Sequence, residues 1–402
     1  YMKSIKFILA FILIVAFSLN IDGNLYSQVY QLPNPGFENW DGGEADEPTN
    51  WNSYPSANCT ILIGCGIAKQ KRHDRSTDVR PGSTGQYSCK IYSTSALGVI
   101  ANGAITTGQM QLVNASLSSD NNGNRTITSN SNFHQKFDAK PDSIVFWAKA
   151  VNVNNSSLSC CHLYIHDEYQ LQDPLVANPA GYEAHIVGKV PNYDFTNNGS
   201  TWQRHSAPII YDGCQGTTPK YILITISTNK DAGGGNSGDV LYIDDIEFIY
   251  NANLSSITVN GEPIPDFNEN TTTYYIKTEC GVTNYLDATT VSPRASWSSS
   301  LSPDGKTATI TVNHGDKTKT YQVIYNDAEL YQTSDRICTG DSYSLNGFTI
   351  PTQENAGVFT FRNQAQLPTG CDSIMELTLT VYNSYTSNID LTICESATYD
   401  FY

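Results

Sequence analysis

The chain reads as an all-β protein, and two observations predict it. Short runs of β-branched and aromatic residues are broken by turn signals such as Asn260-Gly261 and Asp304-Gly305. No stretch after the N-terminal apolar run keeps a helical period. At 402 residues, two or three domains are expected.

The first element is not part of the fold. Met2, Lys3 and Lys6 precede an apolar run from Phe7 to Leu19, and Ser27 supplies a small residue near a cleavage point. The run is too short to span a bilayer comfortably and no stop-transfer segment follows, so residues 1–28 read as a secretory signal peptide. The first cysteine is Cys59, which excludes an N-terminal lipoprotein. The mature chain is therefore expected outside the cell or on its surface, without a transmembrane segment. Its 23 Lys+Arg against 39 Asp+Glu give a net charge of −16, which excludes nucleic acid as a partner.

Residues 29–251 form the first predicted domain, with strand candidates at Tyr87–Tyr92, Ser143–Val151, Cys161–His166, Tyr221–Ser227 and Asp239–Tyr250. About 220 residues suffice for one large sandwich with a proper core. In a strand, His162, Tyr164 and His166 share one face, with Cys161, Leu163 and Ile165 on the other. Ser118–Asn132 and Lys230–Gly238, rich in Asn, Ser and Gly, read as surface loops. Residues 252–326 form a second domain, marked by alternation in Thr307–Val312 and Tyr321–Tyr325. Residues 327–383 are a third, small module. Its opening, Ile337-Cys338-Thr339-Gly340-Asp341-Ser342-Tyr343, returns at Ile393-Cys394-Glu395-Ser396-Ala397-Thr398-Tyr399. Residues 384–402 are thus the start of a second copy that is expected to continue beyond Tyr402.

Ten cysteines in an exported chain should mostly pair. Cys59 with Cys65, one of Cys160 and Cys161 with Cys214, and Cys338 with Cys371 are the expected disulfides. No CxxC pair supports a zinc site.

Two segments carry a resemblance. Asn34-Pro35-Gly36-Phe37-Glu38-Asn39-Trp40 and Leu241-Tyr242-Ile243-Asp244-Asp245-Ile246-Glu247-Phe248 resemble the opening and closing strands of jelly-roll carbohydrate-binding modules. Together with Pro48-Thr49-Asn50-Trp51, Asp78–Gly85, Gly103–Gly108 and Pro141–Trp147, they also resemble the carbohydrate metabolism domain family (PCMD) of exported Bacteroidetes proteins. The second domain resembles cadherin-like or immunoglobulin-like sandwiches, whose role is spacing. The long polar insertion between Leu112 and Asn132 departs from the pattern.

The resemblance implies a jelly-roll fold, a polysaccharide or glycoprotein glycan as partner, and a structural calcium ion held by Glu38 with Asp244 or Asp245. Calcium takes six to eight oxygens, and carboxylates from separate strands with backbone carbonyls can supply them. For the sugar, an aromatic platform beside polar side chains is needed, because pyranose C–H patches stack on rings. Trp147, His162, Tyr164, His166 and Trp202 are the candidates, with Arg204 and Tyr211 nearby. Catalytic residues are not assigned. A glycoside hydrolase on the same domain is the alternative. It would need two carboxyl groups across a cleft, and Asp167, Glu168, Glu183 and Asp194 do not single out a pair. A purely adhesive or structural surface protein is the remaining reading.

Overall fold

A computed structural model describes residues 28–61, 64–96, 98–116, 119–154, 157–196, 201–279, 281–326, 328–366, 372–385 and 389–400. The signal peptide lies outside the described residues. The chain is all-β, and it divides into two compact units, one ending at Ile249 and the other beginning at Tyr250. No helix among the described residues is long and apolar enough to cross a membrane.

The first unit is built from three sheets and a two-stranded ribbon, Thr94–Ala96 with Val99–Ala101. The first sheet runs in the order Gln203–Pro208, Ser143–Val151, Val240–Ile249, Ser88–Tyr92, His73–Ser76. The second runs Ile186–Phe195, Ser159–His166, Tyr221–Ser227, Ala104–Thr106. Alternation explains why they stack. Phe146, Ala148 and Ala150 are buried on one side of Ser143–Val151, while Cys161, Leu163 and Ile165 are buried on Ser159–His166. Phe146 meets Phe195 of the second sheet with ring centroids 5.4 Å apart, so these apolar faces close on each other as a sandwich.

The third sheet is small, in the order Asn58–Cys59, Gln109–Leu112, Gly123–Arg125, Gln172–Asp173. It is the one departure from a plain sandwich. The polar insertion expected to be a surface loop contributes the strand Gly123–Arg125 to it. Side-chain amides hold the insertion in place: Gln172 donates to the carbonyls of Asp120 and Asn122 at 2.7 and 3.2 Å.

The opening segment runs beside the closing strand. The Gln31 amide brackets Phe248, donating to its carbonyl and accepting from its N–H, each at 2.8 Å. Ile246 N–H donates to the Pro35 carbonyl at 3.0 Å. The side-by-side placement expected of the two motifs is present.

The second unit contains two further cores. Leu254–Val259, Glu262–Pro263 and Leu286–Thr290 form a three-stranded sheet, and Thr273–Lys277, Ser296–Leu301, Thr307–His314 and Lys317–Asn326 a four-stranded one. Leu254, Ile257, Ile310, Val312, Tyr321 and Val323 pack in one core. Asn260 and Gly261, both with positive φ, make the tight turn from Val259 to Glu262 that their sequence announces. Glu329–Cys338, Gly357–Gln366 and Asp372–Tyr382 then form a three-stranded sheet over Leu377, Leu379 and Val381.

The cysteine pairing is corrected in part. Cys59 and Cys65 are joined. Cys160, Cys161, Cys214 and Cys338 are free thiols. Neither vicinal cysteine can reach Cys214 from its place. Cys160 and Cys161 point to opposite faces of one strand, Cys161 into the sandwich core, while Cys214 packs beside Tyr164 and Tyr182. Cys338 ends a strand that runs parallel to Asp372–Tyr382, with Cys338 opposite Tyr382 and Glu329 opposite Ser373. Cys371, on which the expected bond to Cys338 rests, and Cys280 lie outside the described residues.

Candidate functional site

The five aromatic and histidine residues expected to bind sugar fall on two different surfaces. Trp147 and Trp202 lie on the outer face of the first sheet. His162, Tyr164 and His166 lie on the outer face of the second.

The first face is open. Trp147 and Lys149 project from the same side of their strand, opposite the side that carries Phe146 and Ala148 into the core. Arg204 is the cross-strand partner of Trp147 on one side and Asp244 on the other; Tyr242 is the partner of Lys149. The Trp202 and Tyr242 rings stand 6.3 Å apart. Lys149 Nζ lies 4.3 Å above the Tyr242 ring and 5.8 Å from that of Trp202. Asp78 ties this cluster together, pairing with Lys149 and accepting the Trp202 indole N–H at 3.0 Å. These partners hold its carboxyl below the usual range despite its partial burial. Arg80 covers Trp147 with its guanidinium 5.2 Å from the ring centroid. Trp147, Trp202 and Tyr242 all remain half-buried, with ring surface still facing solvent.

The second face is covered. Tyr164 packs against Leu171, Tyr182, Ile186 and Leu223 and is 4 % exposed. His166 is fully buried, its ring nitrogens bonded to the Thr126 hydroxyl and the Asp167 carbonyl, each at 2.9 Å. Burial drives its pKa down to about 3, so it is neutral in the fold. Only His162 reaches open space. It borders a cavity of about 570 Å³. Cys160, Asp173, Asn124 and Asn102 form buried parts of its wall, and Val99, Asn114 and Ala232 are exposed at its rim.

Asp173 meets the cavity because the third sheet carries it there. Gly123 permits that approach: its φ is +140°, and a Cβ would sit 2.4 Å from the Asp173 carbonyl oxygen. Asp173 Oδ1 lies 3.0 Å from His162 Nδ1. Burial opposes charging His162, yet the Asp173 carboxylate and the neighbouring Cys160 hold its pKa up to about 11. Sequence reasoning missed Asp173, Cys160 and Asn102. Alternation would have placed Cys160 beside His162, but nothing local points to Asp173.

The expected calcium ligands line one loop without forming one cage. Glu38 accepts the N–H groups of Gln86 and Tyr87 at 3.0 Å. A side chain at Gly85 would collide with it, since a Cβ there lies 2.2 Å from Glu38 Oε1. Asp245 pairs with Arg80, and its Oδ2 lies 3.4 Å from the Ser83 hydroxyl. Asp244 Oδ2 accepts the Arg80 N–H at 3.1 Å, but its Oδ1 is buried without a hydrogen-bond partner. A bulge sets both aspartates toward the loop. Two residues, Asp245 and Ile246, oppose Phe146 alone, and Asp245 takes φ +45°. The Oδ1 atoms of both then lie within 4 Å of the point a Gly36 Cβ would occupy. Adjacent strand residues were expected to face opposite ways; the bulge overrides that. No group of three or more His, Cys, Asp or Glu among the described residues is arranged to hold a metal ion. Asp244 Oδ1 is the one buried oxygen of the set without a hydrogen-bond partner.

Of the four acids considered for hydrolysis, Glu168 is exposed and the other three are engaged in ion pairs. Asp167 pairs with His185 at 2.8 Å, Glu183 with Lys189 at 3.5 Å and Asp194 with Lys230 at 3.8 Å. Asp173 is the one carboxylate among the described residues that line the cavity.

No protein-family model matches the chain, and no curated protein matches it. Among solved structures, a protein from Bacteroides vulgatus ATCC 8482 given as a "putative glycoside hydrolase" is 18% identical, with a TM-score of 0.36 over 56% of this chain and 95% of that one. The Caldicellulosiruptor saccharolyticus CBM27-1 in complex with mannohexaose is 11% identical, with a TM-score of 0.28 over 55% and 98%. The carbohydrate-binding module CBM28, specific for non-crystalline cellulose, is 9% identical, with a TM-score of 0.27 over 54% and 94%. All three TM-scores lie below 0.5, so these likenesses carry no argument about the site.

Proposed function

We propose that the first unit is a glycan-binding β-sandwich whose ligand lies on the open face of the first sheet. One observation carries this reading: Trp147, Trp202 and Tyr242 present half-exposed rings on one face, interleaved with Lys149, Arg80, Arg204 and Asp78. Rings supply the flat apolar surface that pyranose C–H groups need, and the charged groups between them supply bonds to hydroxyls. A solvated sheet face without a ligand has no need of three such rings. In this reading the chain is exported, and the second unit spaces the binding face from its attachment. A structural calcium ion among Glu38, Asp244 and Asp245 belongs to the same proposal, supported by Asp244 Oδ1, the buried oxygen of that set with no partner.

Screening the full chain against an array of plant, microbial and host glycans tests the reading. Binding to a polysaccharide class that weakens in Trp147→Ala and Trp202→Ala supports it. Binding that ignores both substitutions, or none at all across the array, removes it. A two-carboxylate glycosidase is not favoured, because the cavity wall carries Asp173 and no second acid.

A further inference from the structure

The cavity beside His162 is built differently from the open aromatic face, and its polar end carries unused acceptors. Asn124 and Asp173 are cross-strand partners in the third sheet, so their side chains stand about 5 Å apart on one face. Both line the cavity, at 9 % and 3 % exposure. Asn124 donates its amide N–H to the Thr225 hydroxyl at 3.1 Å, and its Oδ1 accepts no hydrogen bond among the described residues. Asp173 Oδ1 is taken by His162 at 3.0 Å, and its Oδ2 accepts none among the described residues. Neither oxygen is sealed away as Asn102 Oδ1 is; the cavity is the open space that they border. A buried acceptor left without a donor is destabilising, so two on one face call for a ligand that donates twice.

The remainder of the wall selects the body of that ligand. Ile61, Ile100, Met110 and Leu112 make it aliphatic, and the volume of about 570 Å³ lies in the range of small-molecule sites. Among the described residues that line it, Tyr54 supplies the one phenol or indole ring. Arg72 already covers that ring at 4.6 Å, so no aromatic platform is offered to a sugar. The charged groups are engaged. Asp173 pairs with His162, Lys230 lies 3.8 Å from Asp194, and Arg72 donates to the carbonyls of Ile67, Ala68 and Gln70. An anionic head would meet Asp173 at close range, and like charges repel.

We propose that this cavity binds an aliphatic compound with a vicinal diol head, one hydroxyl donating to Asn124 Oδ1 and the other to Asp173 Oδ2, its chain lying along Ile100, Met110 and Leu112. The two hydroxyls of a 1,2-diol reach two acceptors on neighbouring strands, whereas a single hydroxyl satisfies only one. Asp173 keeps His162 on its other oxygen, so binding needs no proton transfer. Val99, Asn114 and Ala232 are exposed at the rim and leave the compound a way in. Trp147 and Trp202 lie on the other sheet, so this proposal does not depend on glycan binding.

Isothermal titration of the full chain with 1,2-octanediol, 1-octanol and octanoate tests it. The diol should saturate a single site per chain and bind about tenfold tighter than 1-octanol, because it donates a second bond, and octanoate should bind weakest. Ala101→Trp puts a ring into the cavity from a half-exposed position on its wall and should abolish diol binding. Asn124→Leu removes one acceptor and should bring the affinity for the diol down to that for 1-octanol. Should either variant fail to fold, the comparison of the three compounds on the wild type still decides. No saturable diol binding, 1-octanol binding as tightly as the diol, octanoate binding tightest, or diol binding unchanged in Ala101→Trp overturns the proposal.

Discussion

On the first sheet, Trp147 and Lys149 of Ser143–Val151 stand half-exposed on the outer face; on the second sheet, Cys160, Tyr164 and His166 of Ser159–His166 lie under another layer of chain. The two strands have the same alternation and the same inward apolar row. What differs is the chain that crosses outside them. Over the first sheet, among the described residues, Asp78, the Arg80–Tyr87 loop and Trp202 approach, and Trp147, Trp202 and Tyr242 stay half-buried. Over the second, Gln109–Leu112, Gly123–Arg125 and Gln172–Asp173 form a third sheet, and Tyr164 and His166 become interior. The lesson is that period two identifies which residues share a face but not whether that face is wet.

The largest expected difference between the faces is in stability. Tyr164→Ala removes a buried ring from between Leu171, Tyr182, Ile186 and Leu223 and should cost about 3–5 kcal/mol. Trp202→Ala removes a half-exposed ring and should cost under about 1 kcal/mol. Urea unfolding of both variants measures this. Equal losses would mean that the aromatic face is packed as tightly as the covered one.

The same contrast predicts opposite pH behaviour. His166 is neutral in the fold, with a pKa near 3 against an ordinary 6.5, because burial penalises its charge. A histidine depressed in this way contributes stability above the unfolded value and loses it as pH falls through the window from 6.5 toward 3. His205, lowered to about 4 by burial, adds to the loss. The wild-type chain should lose about 2–3 kcal/mol between neutral and mildly acidic pH on account of His166, and His166→Gln should flatten that part of the curve. Unfolding free energies at both pH values, compared between wild type and variant, check it. A slope unchanged by the substitution would show His166 to be hydrated in solution.

These outcomes bear on how much the sequence disclosed. The all-β class, the shared face of His162, Tyr164 and His166, and the Cys59–Cys65 bond followed from local pattern, whereas the meeting of Pro35 with Ile246 followed from the resemblance of the two motifs to jelly-roll modules. The covering layer did not, because it is held by amides. Gln172 donates to the Asp120 and Asn122 carbonyls and Asn124 to the Thr225 hydroxyl, so the segment that makes the layer has the composition of a solvated loop. Asp173 was invisible for the same reason. Its place at the cavity depends on Gly123, fifty residues earlier.

Binding offers a smaller effect but a sharper one. If the open face holds sugar, Trp147→Ala and Trp202→Ala should each weaken binding by about 1–2 kcal/mol, roughly tenfold in Kd, without a matching fall in melting temperature. Tyr164→Ala should do the reverse, lowering stability while leaving the affinity of the remaining folded protein unchanged. Isothermal titration with the glycan found on the array measures all three. A tenfold loss in Tyr164→Ala at temperatures where it is fully folded would move the sugar to the covered side.

The smallest effect concerns the edge of the open face, where Asp244 is buried beside Asp245. Burial, followed by the neighbouring carboxylate, outweighs the Arg80 N–H and raises the Asp244 pKa to about 6. An acid raised in the fold contributes stability below its unfolded value of 3.8 and loses it as pH climbs through about 6, so at neutral pH its charge is a burden. Asp244→Asn keeps an oxygen for the Arg80 N–H and removes that charge. In chelator at neutral pH it should raise stability by about 1 kcal/mol and flatten the dependence between the two values. Millimolar calcium reverses the ordering if an ion sits there, because only the carboxylate can hold it: the wild type should then gain in melting temperature and the variant should not. If calcium and chelator give the same wild-type melting temperature while Asp244→Asn is stabilising in both, Arg80 alone balances the acid pair and the ion proposal falls.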